Sequence, residues 1–319
     1  MLGIKADALA LIHKPSWAEN IHWARDIQAH RKASLETINM LRRLLGSWVA
    51  SMVKWSEISW VEAKEIFRTA RTVVIPVGSV EQHGPHLPLG TDWIIAQELA
   101  SKISEKTEAI MLPVMPFGYA EYHMDFAGTI TLSQGHLHDL LLDICRSVVK
   151  WGAKRIIFVN GHGGNLASLR SVCLKLREES GVLCAVVQWF DIFEEVEGWK
   201  ATEHGGIVET SLMMGIRPDL VDLRKAIVPV PKPLSGAFKT VSINRVKFRD
   251  GYVHLFLRTS DVTDEGSMTE TESSEPMTDF SFATPEKGGK ILSFFVDYLT
   301  DFIREFERIQ LPNSSATKT

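Results

Sequence analysis

The sequence has little of what marks a secreted, membrane-spanning or nucleic-acid-binding chain. Cysteine is scarce: Cys145, Cys173 and Cys184 are the only ones, none belongs to a C-x-x-C pair, and each lies in an apolar run. That pattern excludes a disulfide framework and a thiolate metal site, and it predicts buried, reduced thiols in a cytoplasmic protein. No apolar stretch approaches the roughly 18 residues of a membrane span. The N-terminus also lacks the basic start, apolar run and small-residue cleavage site of a signal peptide. Positive charge is not in excess, with 35 Lys and Arg against 39 Asp and Glu and a net charge of −4, so no nucleic-acid partner is expected. Neither G-x-x-x-x-G-K-[ST] nor G-x-G-x-x-G occurs, which argues against a nucleotide site.

What remains is a chain of 319 residues, 45% apolar, long enough to bury a large core as one α/β domain or two smaller ones. Short β-branched runs at 72–78, 108–115, 154–160 and 182–190 alternate with helical stretches at 92–106, 136–151 and 165–180. Almost fully apolar strands alternating with helices predict a mainly parallel sheet with helices on both faces. Further on, residues 240–259 read as two strands around an Asp-Gly turn. Residues 261–279 hold seven acidic residues and no Lys or Arg, which reads as a solvated loop. Thr284-Pro285 opens a last helix with Ile291, Phe295, Leu299, Phe302 and Phe306 on one stripe. Residues 1–51 differ from the rest: Ser34 and Glu36 start a helical pattern that ends near Met52. This stretch is either an added helical arm or sequence upstream of the natural start. The expected division is a helical extension over 1–51, the α/β domain over 52–310 and a polar tail over 311–319.

Three clusters carry chemistry. In GSVEQHGPHLPLGTDW (78–93), Glu81 and His83 are one residue apart and point the same way on an extended segment, and Asp92 follows at a predicted helix start. Carboxylate, imidazole and carboxylate suit a divalent transition metal, although a polar turn with Asp92 as helix cap gives the same letters. In FVNGHGGNLAS (158–168), His162 follows the third strand. Sites in open α/β sheets form at the carboxyl ends of strands, so both clusters can meet in one crevice. In TEHGGIVETSLMM (202–214), Glu203 and His204 precede a Gly-Gly turn, and Glu209 lies in an apolar helix where a buried acid needs a partner.

Together these segments, with FAGTITL (126–132), resemble the creatininase family of metal-dependent amidohydrolases over about residues 54–310. The resemblance implies a single α/β domain, homo-oligomers (often hexamers) and a small-molecule substrate. It implies metal ligation by Glu81, His83, Asp92 and His162, with Asp92 bridging two ions. Zinc is the first expectation and iron or manganese the alternatives, one or two ions per chain. Creatininase carries a glutamate ligand where this chain has Gly164, and an aromatic residue where it has Gly163. The second ion is therefore absent, weakly held or liganded by another acid, Glu209 being the first choice. Trp199 only roughly matches a substrate-contacting tryptophan, so creatinine is disfavoured. The implied chemistry is attack of metal-bound hydroxide on an amide carbonyl, with N–H groups of Gly163 and Gly164 assisting. His204 passes a proton to the leaving nitrogen, oriented by Glu203 or Glu209, and His123 falls where relatives carry an active-site histidine. The alternatives are metal-assisted hydrolysis of a C–C bond in a cyclic diketone, or a non-catalytic metal-dependent binding protein. His86 and Tyr119 read as hydrogen-bonded loop residues; His13, His22, His30, His136, His138 and His254 read as surface residues.

Overall fold

Four apolar runs form one parallel sheet: β1 (Thr72–Val77), β2 (Ile110–Met111), β3 (Arg155–Asn160) and β4 (Leu183–Gln188), in the order β2-β1-β3-β4. These strands come from a computed structural model that describes residues 55–192, 204–268 and 280–310, all in the unit Ser51–Thr319. The expected extension over 1–51, the tail over 311–319, Trp199 and Glu203 lie outside the described residues, as does 269–279 of the acidic stretch.

Side-chain alternation along the strands builds two cores. Val74, Ile157, Val159 and Val187 face α2 (Thr91–Lys106), α5 (Ile207–Ile216) and α6 (Pro285–Arg308). Val73, Ile75, Val77, Ile156 and Phe158 face α1 (Trp60–Thr69), α3 (Gln134–Trp151) and α4 (Leu166–Ser180). Helices thus cover both faces, as the unbroken apolar strands require. Among the described residues no helix is long and apolar enough to cross a membrane.

Local chemistry explains most boundaries. Ser133 caps α3 by accepting from His136 N–H, so the helix starts earlier than 136. Thr284 and Pro285 start α6, and its stripe is buried at Ile291, Phe295, Leu299 and Phe306. The predicted strand over 108–115 shrinks to two residues plus an isolated bridge at Met115: Leu112 N–H bonds to the Val74 carbonyl and Met115 N–H to the Pro76 carbonyl, so three residues here run against two of β1 and the ladder is interrupted by a bulge. The predicted first strand of the later hairpin folds back on itself near Asn244. The result is an antiparallel sheet of β5 (Phe238–Ser242), β6 (Arg245–Phe248) and β7 (Gly251–His254).

The chain crosses from β2 over β1 to reach β3, so the strand order switches direction between β1 and β3. In such sheets the crevice for a ligand opens beyond the carboxyl ends of those two strands. Val77 and Asn160 are paired last residues of these strands, and the first two chemical clusters begin directly after them.

Candidate metal centre

The sheet puts the ends of β1 and β3 side by side, and two glycines let a helix close on them. A side chain at Gly78 would meet the Trp93 backbone at 2.4 Å, and one at Gly161 would meet the Asp92 carbonyl at 2.3 Å. Only without Cβ atoms can the first turn of α2 press against both strand ends. Asp92 is thereby wedged between the two turns. It is the second residue of α2, whose cap is Gly90, so the reading of Asp92 as helix cap is corrected. Asn160 and Asn165 fix the turn after β3: Asn160 donates to the His162 carbonyl (2.7 Å) and Asn165 donates to the Gly78 carbonyl (3.0 Å).

The result is a buried set of acids and imidazoles. Asp92 presents one oxygen to each of two histidines: Oδ1 lies 2.9 Å from His83 Nε2, and Oδ2 lies 3.1 Å from His162 Nδ1. Glu81 Oε2 lies 3.1 Å from His162 Nδ1, and Glu209 Oε2 lies 3.8 Å from His83 Nε2. Two groups able to hold an ion follow, Glu81–Asp92–His162 and His83–Asp92–Glu209, sharing Asp92, and a third joins Glu81, His83 and His204. Within each, the donor atoms lie within 4.8 Å of one another.

The far side of each ring settles which nitrogen faces the acids. His162 Nε2–H donates to the Tyr119 carbonyl at 2.8 Å, and His83 Nδ1–H donates to the Glu81 carbonyl at 3.2 Å. Their other nitrogens face the carboxylates and, once the rings give up their second proton, offer a lone pair there, as metal-binding histidines do. Buried oxygen and imidazole donors without thiolate fit zinc, iron or manganese, so the residues fit the implied metal.

The charges are strongly coupled. Burial alone would raise Glu81, but His123 and His162 outweigh it and hold the carboxyl well below the usual range. Burial would lower His83, but Asp92 and Glu209 carry it up to about 10. Burial, opposed by His83, pushes Glu209 up to about 7. Burial, then the neighbouring His83 and His123, holds His204 well below its ordinary value.

The other predicted residues stand around this set. His123 is buried, with Nε2 at 3.2 Å from Glu81 Oε1 and Nδ1 at 2.8 Å from Thr259 Oγ1. His204 turns Nδ1 toward Glu81 Oε1 (3.9 Å) and donates from Nε2 to the Gln82 carbonyl (2.7 Å). The expected orienting role of Glu209 toward His204 is therefore corrected. Glu209 instead accepts from Gly205 N–H at 2.6 Å, and Gln82 holds the His204 ring. His86 is a buried loop residue bonded through Nε2 to Thr210 Oγ1 at 2.9 Å. Sequence reading missed Ser79, whose Oγ lies 2.5 Å from Glu81 Oε2 and 3.0 Å from Asp92 Oδ2. It also missed Tyr122, whose hydroxyl lies 3.3 Å from His162 Nε2. Ser79 was detectable as a hydroxyl two residues before an acid; Tyr122 and Thr259 had no local signal.

The match of a family model settles the relationship: the model described as creatininase, creatinine amidohydrolase, covers residues 56–303. The chain belongs to the creatininase family. A mutant creatininase of known structure aligns with a TM-score of 0.64 at 26% identity, over 81% of this chain and 99% of that one. Creatinine amidohydrolase of Pseudomonas putida is 29% identical over 194 residues, 54% of this chain and 74% of that protein. The mycofactocin precursor peptide peptidase of Mycolicibacterium smegmatis is 36% identical over 167 residues, 49% of this chain. The match spans less than two thirds of that peptidase, 62% of its length.

At position 164, where the resemblance to creatininase implies a glutamate ligand, the structure has no room for a side chain. A Cβ at Gly164 would lie 2.2 Å from the Tyr119 carbonyl and 2.5 Å from His162 Nε2. The 119–122 loop occupies the space a ligand side chain would need, and Glu209 approaches His83 from α5 instead.

Proposed function

We propose that this creatininase-family chain is a metal-dependent hydrolase that cleaves the C–N bond of a small cyclic or linear amide. The observation that carries this reading is Asp92 with one oxygen toward each ligand set, flanked by Glu81 and His162 on one side and His83 and Glu209 on the other. We assign metal binding to these five residues, with zinc first and iron or manganese as alternatives. A divalent ion held there would supply an acidified water and polarise the substrate carbonyl.

The protein's own groups do the rest. His204 is uncharged near neutral pH, and its Nδ1 faces the centre, so it can take a proton and deliver it to the leaving nitrogen. His123 donates to Glu81 and keeps that carboxylate oriented. The N–H groups of Gly163 and Gly164, at the start of the turn into α4, are the proposed donors to the developing oxyanion. We further propose a cytoplasmic homo-oligomer acting on a small molecule, without nucleic-acid or membrane partners. A second reading, cleavage of a peptide C–N bond, is favoured by the 36% match to the peptide peptidase.

The deciding experiment compares metal-stripped and zinc- or manganese-restored protein on lactams, formamides, cyclic ketones and short peptides. Metal-restored cleavage of an amide is expected. Cleavage of peptides alone selects the second reading, cleavage of ketones alone overturns C–N hydrolysis, and no turnover with retained metal leaves a binding protein.

A further inference from the structure

One side chain lies at the junction of the two histidines that are not among the five proposed ligands. Gln82 is buried between Glu81 and His83. Its Nε2 lies 2.9 Å from His123 Nδ1, 2.9 Å from His204 Nε2 and 3.0 Å from the Gly266 carbonyl. Its Oε1 accepts from Gly84 N–H at 3.0 Å, which fixes the orientation of the amide. The amide is also held from behind. A Cβ at Gly266 would lie 1.9 Å from Gln82 Oε1, and Gly266 has φ of +84°, so glycine is required there twice over.

An amide nitrogen has two protons and accepts none. His204 Nε2 already gives its proton to the Gln82 carbonyl at 2.7 Å, so it cannot accept from the Gln82 side chain. The two amide protons therefore go to Gly266 O and His123 Nδ1. His123 then carries its proton on Nε2, 3.2 Å from Glu81 Oε1. His123 Nδ1 has one lone pair, so the Gln82 N–H and the Thr259 O–H share it in a three-centre arrangement. The ring of His204 stacks between its neighbours, 4.5 Å from His123 and 4.2 Å from His83, which keeps its Nδ1 on the side of Glu81.

We propose that Gln82 is a positioning residue that sets the tautomers of His123 and His204 together, its side chain fixing one ring and its carbonyl the other. Through this one residue, His123 points a proton at Glu81 while His204 keeps a free nitrogen on the same carboxylate. Gly266 is the support that holds the amide in place. The inference rests on the assignment of Glu81 and His204 to the metal centre made above.

The test uses the full chain with 15N-labelled histidine rings, read by two-bond proton–nitrogen correlation in metal-free and zinc-loaded protein. In the wild type, His123 Nδ1 is expected to be unprotonated, and Nε2 protonated in both His123 and His204. Gln82→Glu keeps the shape but turns the donor into an acceptor, so His123 Nδ1 gains a proton. Zinc affinity, measured by competition with a chromophoric chelator, then falls about 10- to 100-fold, as for loss of an outer partner of a ligand. Gly266→Ala, which evicts the amide, gives the same direction of change. Should Gln82→Glu fail to fold by circular dichroism, Gln82→Met carries the test. Thr259 alone then permits both tautomers, and mixed His123 signals are expected. An unchanged His123 tautomer in the folded Gln82 variant overturns the proposal, whatever the zinc affinity. Wild-type protein that binds no zinc, iron or manganese overturns the metal assignment instead, while the tautomers of the metal-free protein still decide the role of Gln82.

Discussion

The parallel sheet and the small antiparallel sheet hold charge in opposite ways. At the ends of β1 and β3, Glu81, Asp92 and Glu209 are almost wholly buried, and each has an imidazole within reach. On β5–β7, Lys239 stands opposite Lys247 across the ladder, and every residue of β7 is exposed. Arg245 lies 4.1 Å over the Tyr252 ring. Like charges facing each other are tolerated best close to solvent. Buried like charges need counter-charges at fixed distances. The lesson is where sequence changes matter: the first region is sensitive to single atoms, the second at its buried Val241 and Val246 and much less at its exposed positions.

The largest contrast is expected at the ligands. His162→Ala should lose bound metal and Glu81→Ala should weaken it, because each removes a donor from the Glu81–Asp92–His162 triad. Elemental analysis of the purified variants reads this directly, and wild-type metal content in both would remove the site assignment. Next comes His204→Asn, expected to keep the metal while turnover drops about 10²- to 10⁴-fold. Metal content and turnover on one preparation separate the roles: loss of metal would make His204 a ligand, and full turnover would remove it from the mechanism.

Gly164→Ala sharpens the comparison at a position without any charge. The added methyl would displace the Tyr119 carbonyl or the His162 ring, so metal affinity should fall about 10- to 100-fold. Unchanged affinity would show that the 119–122 loop yields freely. A smaller effect is expected from pH. Without metal, Glu209 (about 7) and His83 (about 10) both hold protons that the unfolded chain has released. Their stabilising contribution is complete below their unfolded values, about 4.5 and 6.5, and is lost as pH rises through the folded ones. Metal binding needs both groups deprotonated, so the rise in melting temperature on adding zinc should grow between about pH 6 and pH 9. Equal increments across that range would remove both residues from the ligand set. The smallest effect belongs to the antiparallel sheet. Arg249 has φ of +53°, a conformation that Asn adopts more readily, so Arg249→Asn should leave stability within about 0.5 kcal/mol by urea unfolding.

The same contrast explains what could be read from sequence. Glu81, His83, Asp92 and His162 were legible because each lies in a short motif next to a strand whose apolar run announces it. The parallel sheet was legible for the same reason, apart from β2, where an extra residue between Leu112 and Met115 interrupts the ladder. The surroundings were not. His123 meets Thr259 across 136 residues, and Gln82 meets Gly266 across 184. Such contacts depend on how irregular loops pack, and no period of the sequence encodes that. His204 illustrates the point. Its backbone pairs with Met268 in both directions at 2.7 Å, and this pairing swings its ring toward Glu81. The fold of 238–254 was only half legible, because Asn244 makes a turn inside what reads as one strand.

The pairing of β1 with β3 also has a bearing on how the protein assembles itself. Thr72 lies against Arg155, so the two ligand-bearing turns meet only after a long stretch of chain, including α2, β2 and α3, has been gathered between them. Closing a parallel crossover of that length is among the slower steps of folding. No short fragment carries the complete Glu81–Asp92–His162 triad, so an ion offered to the unfolded chain meets scattered, weak donors. An ion bound at this centre would therefore arrive late. It would do little to speed folding, and its chief kinetic effect would be to slow the escape from the native state, because Glu81 and His162 follow the two paired central strands.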